Sequence, residues 1–216
     1  MRRLALLLAI VAVPVSAGPP TDGGIDAPPK AARDGASDAE SAAARLLLTY
    51  ARCVADTRPA YVEKVLGLPF LSPAQQAVLK RPPDGEDYCI GYLPVELEVR
   101  GRGQIAAGMA EAVYMRRYGR IGAAAVAAGS AAIKPRNGVE DFALCLVRRN
   151  PNAARALLDT VPGPNETAAV QALIPDLGPC LPRDQTLSLT TRSVRMVVAG
   201  GLYLAAAGPG RTQADR

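Results

Sequence analysis

The chain has 216 residues, a formal net charge of +5 and neither His nor Trp. The absence of His excludes Ser/His/Asp and Cys/His mechanisms whatever the fold, and it removes the commonest general base and the commonest metal ligand. The basic excess is too small to indicate a nucleic acid or a membrane surface as the partner.

Residues 1–17 have the order of a secretory signal peptide: two arginines, the apolar run 4–13 and a pair of small residues that ends at Ala17. A membrane anchor would need about 20 apolar residues, roughly twice the length of this run. We therefore predict cleavage after Ala17 and an exported protein, periplasmic or secreted. Frequent Ala, Arg, Gly and Pro are compatible with a bacterial source.

Two later apolar stretches, 121–133 and 196–208, are too short and too rich in Ala and Gly to indicate bilayer spans. We expect both to form helices that are buried in protein. The mature chain is therefore predicted to have no transmembrane segment.

Residues 18–36 and 209–216 are predicted to be a disordered linker and a disordered tail. The linker has one large aliphatic residue among Pro, Gly, Asp and Ala, which is too little apolar surface to offset the entropy cost of ordering. Order is expected to begin at Ser37, which has the spacing of a capping box with Glu40.

A first helical unit is predicted at residues 37–120. Apolar residues recur at the helical interval in its first helix, and Pro59 ends that helix and begins the next. Ser72 caps a third helix, in which Gln75 completes a capping box. Residues 95–99 alternate apolar and charged side chains, which predicts a short extended segment before a longer helix.

The second unit, 137–208, repeats this order after an Ala/Gly-rich junction at 121–136. Asn137 and Glu140 have capping-box spacing, and Pro151 begins the next helix. The match with the first unit lies in order and spacing, because few residues are identical.

Further along the second unit, Asn165 is expected to cap a helix, and residues 186–191 alternate as 95–99 do. The order thus recurs with a period of about 91 residues. The predicted fold class is mostly α: a tandem duplication of a disulfide-stapled unit of three to four helices, each with a short extended segment.

Cys53, Cys89, Cys145 and Cys180 are expected to form disulfides, because an even number of cysteines in an exported chain is usually paired. Three connectivities are possible. A duplication favours one bridge within each unit, Cys53 with Cys89 and Cys145 with Cys180, at separations of 36 and 35 residues. A cysteine-rich zinc site would need closer pairs, and a reactive thiol would leave one cysteine over, so we predict no metal site.

Two patterns are similar to cofactor or catalytic motifs. A G-x-G-x-x-A pattern at 101–106 opens a helix, as in a dinucleotide-binding fingerprint, but residues 119–134 lack the acid that would bind a ribose. Glu96 and Glu98 could form a carboxylate pair for glycoside cleavage, but two acids on one strand edge are more typical of a solvated face. We predict no cofactor and no catalytic residue.

Arg102 of the first unit and Arg192 of the second occupy equivalent positions. Each is predicted to lie just before a helix, beside Gly103 or Ser193 respectively. Backbone N–H groups and the helix dipole would favour an anion there, and a guanidinium adds a bidentate fork. These four residues are a candidate anion-binding site. The structural alternative is that both arginines form internal salt bridges or bonds to loop carbonyls.

Small helical repeats more often present binding surfaces than catalytic pockets. The sequence therefore favours an exported, non-enzymatic binding or interaction protein of the bacterial periplasm or cell envelope. Its expected partner is an unidentified protein or a small anion, bound in a groove between the two units. The alternative is a hydrolase that uses carboxylates, since His is absent.

Overall fold

The computed structural model describes residues 30–80, 89, 102–181 and 189–208. Every regular element in this part of the chain is a helix, which confirms the mostly α fold. The ten helices are α1 Lys30–Thr57, α2 Pro59–Leu66, α3 Pro73–Leu79, α4 Arg102–Val113, α5 Ala123–Ala132, α6 Gly138–Arg149, α7 Pro151–Asp159, α8 Pro164–Gln171, α9 Ile174–Cys180 and α10 Thr191–Ala207. A π-helical turn, Tyr114–Tyr118, continues α4.

The first helix begins earlier in the chain than the sequence indicates. Since α1 starts at Lys30, Ser37 and Glu40 both lie inside it, and the predicted helix start at Ser37 is wrong. Ala is frequent over residues 30–44 and has the highest helix propensity, so the helix extends through this polar segment. The last part of the predicted linker, 30–36, accordingly has a helical backbone.

Several predicted segments lie outside the described residues. These are the signal peptide 1–17, the tail 209–216 and the extended segment 95–99. The second extended segment, 186–191, is described only from residue 189 onward, where no strand forms, and Thr191 is already the first residue of α10.

Prolines and capping side chains begin the helices at predicted positions. Pro59 and Pro151 are the first residues of α2 and α7. Ser72 caps α3, and its hydroxyl accepts a hydrogen bond from the Gln75 N–H at 3.2 Å. These starts depend on local chemistry alone, which is why the sequence predicts them well.

The start of α8 differs from the prediction. Pro164 is its first residue and Gly163 is its N-cap, so Asn165 is not the cap. Proline is strongly favoured at the first helical position, and here it moves the helix start one residue ahead of Asn165. Gly163 has φ 155°, a region that favours glycine, and this allows the abrupt turn into α8.

The central element is α10. We call residues 30–120 the first half and 137–208 the second half. Helix α10 packs against α4 of the first half and against α6, α7 and α8 of the second. Its Val198 and Leu202 lie in one hydrophobic core with Val54 of α1. The two halves therefore share a core.

The predicted junction, 121–136, contains α5, which packs against α10. A Cβ added to Gly129 would lie 2.1 Å from the carbonyl oxygen of Ala205, so the two helices meet backbone to backbone. Small residues permit this approach, which accounts for the Ala- and Gly-rich composition of both stretches. None of the described helices combines the length and the apolar character needed to cross a bilayer.

Two disulfides connect helices to more distant segments of the same half. Cys53 of α1 pairs with Cys89, and Cys145 of α6 pairs with Cys180 at the end of α9, with Cα–Cα distances of 5.8 and 5.6 Å. The predicted pairing is confirmed, and no cysteine remains as a thiol among these four. Two intact bridges are consistent with an oxidising compartment.

Glu140 joins the second half to the loop between α2 and α3. Its carboxylate accepts hydrogen bonds from the backbone N–H groups of Phe70 and Arg136, both at 2.8 Å. The Arg136 guanidinium forms an ion pair with it at 2.6 Å and donates to the Gly67 carbonyl at 2.7 Å. Asn137 caps α6 as predicted, by accepting from the Glu140 N–H at 2.9 Å. This set of contacts fixes the first-half loop against the start of α6.

The pKa of Glu140 lies below its ordinary value of 4.5. Burial of the side chain, which is 1% exposed, raises this pKa, but the hydrogen bonds from Arg136 and Phe70 and the charge of Arg136 together lower it by more. A carboxyl group whose pKa is lower in the folded than in the unfolded state stabilises the fold at pH values above its unfolded-state pKa. That contribution is lost as the pH falls through the folded-state value.

We expect Glu140→Gln to lower the free energy of unfolding at neutral pH by about 2 kcal/mol, because the charge-assisted hydrogen bonds weaken. The difference between the two proteins should shrink below pH 4.5. Unfolding of the wild type then takes up a proton on this carboxyl, which favours the unfolded chain. Urea unfolding from neutral pH to about pH 3 measures both effects. Asp141→Asn, at an exposed position of the same helix, is the control and should change stability by less than about 0.5 kcal/mol. Parallel pH curves for wild type and Glu140→Gln would contradict this role.

Each disulfide should stabilise the fold by about 3 to 4 kcal/mol, because it closes a loop of 35 or 36 residues in the unfolded chain. The double variants Cys53→Ala/Cys89→Ala and Cys145→Ala/Cys180→Ala form a matched pair with nearly equal loops. We expect similar losses in urea unfolding for the two. A loss below about 1 kcal/mol in either variant would show that the bridge does not restrict the unfolded chain as the loop length implies.

Candidate functional site

A polar cleft of about 410 Å³ opens between the two halves. Glu40 of α1 and Gln104 of α4 line it from the first half. From the second half, Glu166 and Thr167 of α8 and Arg192 of α10 line it. The cleft therefore lies where the first turns of α4, α8 and α10 meet the exposed side of α1.

A smaller cavity of about 40 Å³ adjoins the cleft, since Gln104, Glu166 and Arg192 line both spaces. Most of its remaining wall is apolar, with Leu47 and Met196 among the side chains that form it. The site thus has a polar, charged part and a small apolar part behind it.

Arg195 and Glu111 line this smaller cavity and form a buried ion pair. The guanidinium donates to both carboxylate oxygens, from Nε at 3.0 Å and from Nη2 at 2.9 Å, and the two residues are 6% and 1% exposed. Arg195 also donates to Glu166 Oε1 at 3.3 Å, to the Leu157 carbonyl at 3.1 Å and to the Thr160 carbonyl at 3.0 Å. Burial of a guanidinium is costly unless its N–H groups have partners, and here each of its nitrogens has at least one.

Four helices and one helix end hold this ion network in place. Glu111 lies in α4, Arg195 in α10 and Glu166 in α8, and the two carbonyls come from the end of α7 and the residue after it. Arg52 of α1, which is 54% exposed, adds an ion pair to Glu111 Oε1 at 3.2 Å. The network therefore fixes the relative positions of the elements that carry the cleft residues.

The structure brings Arg192 into the cleft, where its guanidinium donates to the Glu40 carbonyl. The neighbouring Ser193 N–H donates to the Thr190 hydroxyl at 3.1 Å, because Thr190 is the N-cap of α10. The N–H group that was a candidate for binding an anion thus already has a capping partner.

Arg102 and Gly103 are the first two residues of α4, whereas Arg102 was expected just before the helix, and neither is among the described residues that line the cleft or the smaller cavity. A Cβ added to Gly103 would lie 3.2 Å from Leu71 Cδ2 and 3.8 Å from Met196 Sδ, so apolar side chains pack against this position. The structure does not place Arg102 and Arg192 in one site. Anion binding by these four residues stays a prediction.

Sequence reasoning missed Glu111, Glu166 and Arg195. A signal exists for two of them: Arg195 stands next to Val194 on the apolar stripe of α10, and Glu111 interrupts a run of Ala, Gly and Met in α4. A lone charge on an apolar helix face indicates a buried partner. Glu166 lies in a polar helix and carries no such signal.

Among the described residues, no group of three or more His, Cys, Asp and Glu side chains could hold a metal ion. The cleft offers instead a guanidinium, carboxylates, an amide and hydroxyl groups. This set of groups can recognise charge and hydrogen-bonding partners of a ligand.

Arg195→Met should lower the free energy of unfolding by about 3 to 5 kcal/mol, because it leaves Glu111 buried without its main partner. The double variant Arg195→Met/Glu111→Leu should recover part of this loss, since both charges are then removed. Arg148→Met, on an exposed face of α6, is the control and should cost less than about 0.5 kcal/mol. Denaturant unfolding measures all three, and a loss below about 1 kcal/mol for Arg195→Met would contradict a stabilising network.

Comparison with known proteins adds no relative: no family model matches the chain, no curated protein matches it and no solved structure matches its fold. A function for the protein must therefore be argued from the geometry and chemistry of the cleft.

Proposed function

We propose that the protein is an exported, non-enzymatic binding protein of the bacterial periplasm or cell envelope, and that the cleft between the two halves is its ligand site. The observation that carries this proposal is the cleft itself, whose volume of about 410 Å³ is in the range typical of ligand pockets. Polar side chains from both halves, including Arg192 and Glu166, face it. Two intact disulfides support an oxidising compartment.

The state of the buried carboxylates favours binding over catalysis. A carboxylate-dependent hydrolase would need one carboxyl to donate a proton and another to act as base or nucleophile. Here Glu111 accepts hydrogen bonds from Arg195 on both oxygens, and Glu166 shares the same guanidinium. Glu111 is thus fully paired, and Glu166 contacts the same guanidinium through one oxygen; the two do not form the acid and base pair that a hydrolase needs, so the hydrolase remains the weaker candidate.

We also infer that the two halves arose by tandem duplication, which would explain why a cleft lies between them. Equivalent helices pack alike: α1 packs against α4, and α6 packs against α10. In each pair a glycine meets an alanine two positions before the first cysteine of that half. An added Cβ on Gly108 would lie 2.6 Å from Ala51 Cβ, and one on Gly201 would lie 2.7 Å from the Ala143 carbonyl oxygen.

A cleft-blocking substitution tests the proposed ligand site. Thr167→Trp places an indole in the cleft from an exposed position of α8, and Ala168→Trp adds the same side chain at an exposed neighbour that does not line the cleft. Thermal unfolding is followed with small-molecule and macromolecular fractions of a bacterial envelope extract. A ligand at about 100 times its dissociation constant should raise the Tm of wild type and of Ala168→Trp by about 5 °C.

The Tm of Thr167→Trp should not rise with the same fraction, because its cleft is filled. Equal rises for the two Trp variants would place binding elsewhere on the molecule. A failure of every fraction to stabilise wild type, together with turnover of a glycan or ester panel, would favour the hydrolase.

A further inference from the structure

The cleft presents charges of both signs to a ligand. Arg192 supplies a cation, and two acidic residues, Glu40 and Glu166, line the same cleft. A ligand with a single negative charge would meet the guanidinium but also an excess of acid. A ligand that carries both an ammonium and a carboxylate group matches these charges better.

The guanidinium of Arg192 has capacity to bind a ligand carboxylate. An arginine side chain has five N–H donors, and within the described part of the chain Arg192 donates from Nη2 to the Glu40 carbonyl. Its remaining donors form the fork that suits a carboxylate. Because Arg192 lines both the cleft and the smaller cavity, a carboxylate bound to it would lie next to both spaces.

Glu166 offers the opposite charge at the same junction. Its Oε1 accepts from Arg195 Nη1 at 3.3 Å, a long contact for a charged pair, and a carboxylate has acceptor positions on two oxygens. Glu166 also lines both spaces. An ammonium group in the cleft can therefore bind Glu166 while Arg192 binds a carboxylate.

The smaller cavity selects what accompanies these two charged groups. Its volume of about 40 Å³ is roughly three times what one water needs, which suits a branched group of about three or four carbon atoms. Leu47, Leu48 and Met196 contribute apolar surface to it. A bulkier group would be excluded by size.

We propose that the cleft binds a free aliphatic α-amino acid of the valine or leucine type. Its α-carboxylate binds Arg192, its α-ammonium binds Glu166 and its side chain enters the apolar cavity. An α-amino acid carries all three groups on one carbon atom, as a site with both charges at the mouth of one cavity requires. The inference rests on the proposed function, because it names the ligand of the same cleft.

Isothermal titration of the full chain with L-leucine and L-valine tests the proposal. L-Leucinamide lacks the carboxylate and N-acetyl-L-leucine lacks the ammonium, so each should bind at least about tenfold more weakly than L-leucine. L-Leucylglycine separates the two charges by a peptide unit and distinguishes a free amino acid from a peptide. Tighter binding of the dipeptide than of L-leucine would overturn the assignment to a free amino acid.

Two substitutions identify which group binds where. Arg192→Gln should weaken L-leucine at least about tenfold and change the affinity for L-leucinamide by less than about twofold, because the amide has no carboxylate to lose. Ala44→Leu fills the smaller cavity and should weaken L-leucine about tenfold while leaving glycine binding unchanged. Arg148→Gln and Ala42→Leu, both at exposed positions away from these walls, are the matched controls.

The outcomes separate this inference from the proposed function. If an envelope fraction stabilises wild type but not Thr167→Trp, and no aliphatic amino acid binds, the ligand class is wrong and the binding site stands. If L-leucine binds equally well to wild type and to both Arg192→Gln and Ala44→Leu, the assignment of groups is wrong. If neither an envelope fraction nor an amino acid has any effect, both proposals fail.

Discussion

Arg195 places a permanent positive charge inside the helical core, and much of the architecture follows from satisfying it. A buried guanidinium is costly unless acceptors satisfy its N–H groups. Glu111, Glu166 and the carbonyls at the end of α7 supply them. These groups lie far apart in the sequence, so the charge is stabilised only when α4, α7, α8 and α10 are all in place. The same network lines the smaller cavity and fixes the relative positions of the helices that carry the cleft residues.

The two halves are joined by contacts of three physical kinds. The shared apolar core includes residues of α1 and α10. A Cβ added to Gly200 of α10 would lie 2.6 Å from Phe70 Cε1, so this helix and the first-half loop meet with no space for a side chain. Glu140 and Arg136 bind the loop between α2 and α3 through charge-assisted hydrogen bonds. A cleft between halves that are joined in this way has walls of defined position, as selective binding of a small ligand requires.

Sequence reasoning predicts those features that depend on neighbouring residues or on strict spacing. The helix starts at Pro59, Pro151 and Ser72 follow from proline geometry and side-chain capping. The disulfide pairing follows from matched spacing and is present. The start of α1 was missed, because the propensity of an Ala-rich segment outweighs a cap signal at Ser37. The ion network was missed for a different reason: Arg195 and Glu111 each stand out as a lone charge on an apolar helix face, but they are 84 residues apart and neither indicates which residue is its partner.

Each sulfur bridge closes within its own half, and apart from the main chain the described parts of the two halves are connected by noncovalent contacts, among them the core, the Glu140 contacts and the buried ion network. A single cut of the main chain at the exposed Lys134, between α5 and α6, would therefore leave two fragments, each with its own bridge. Under native conditions the noncovalent contacts would keep the two fragments together. A denaturant would separate them even without a reductant. The two halves thus pack as one body, while the main chain is the covalent link between their described parts.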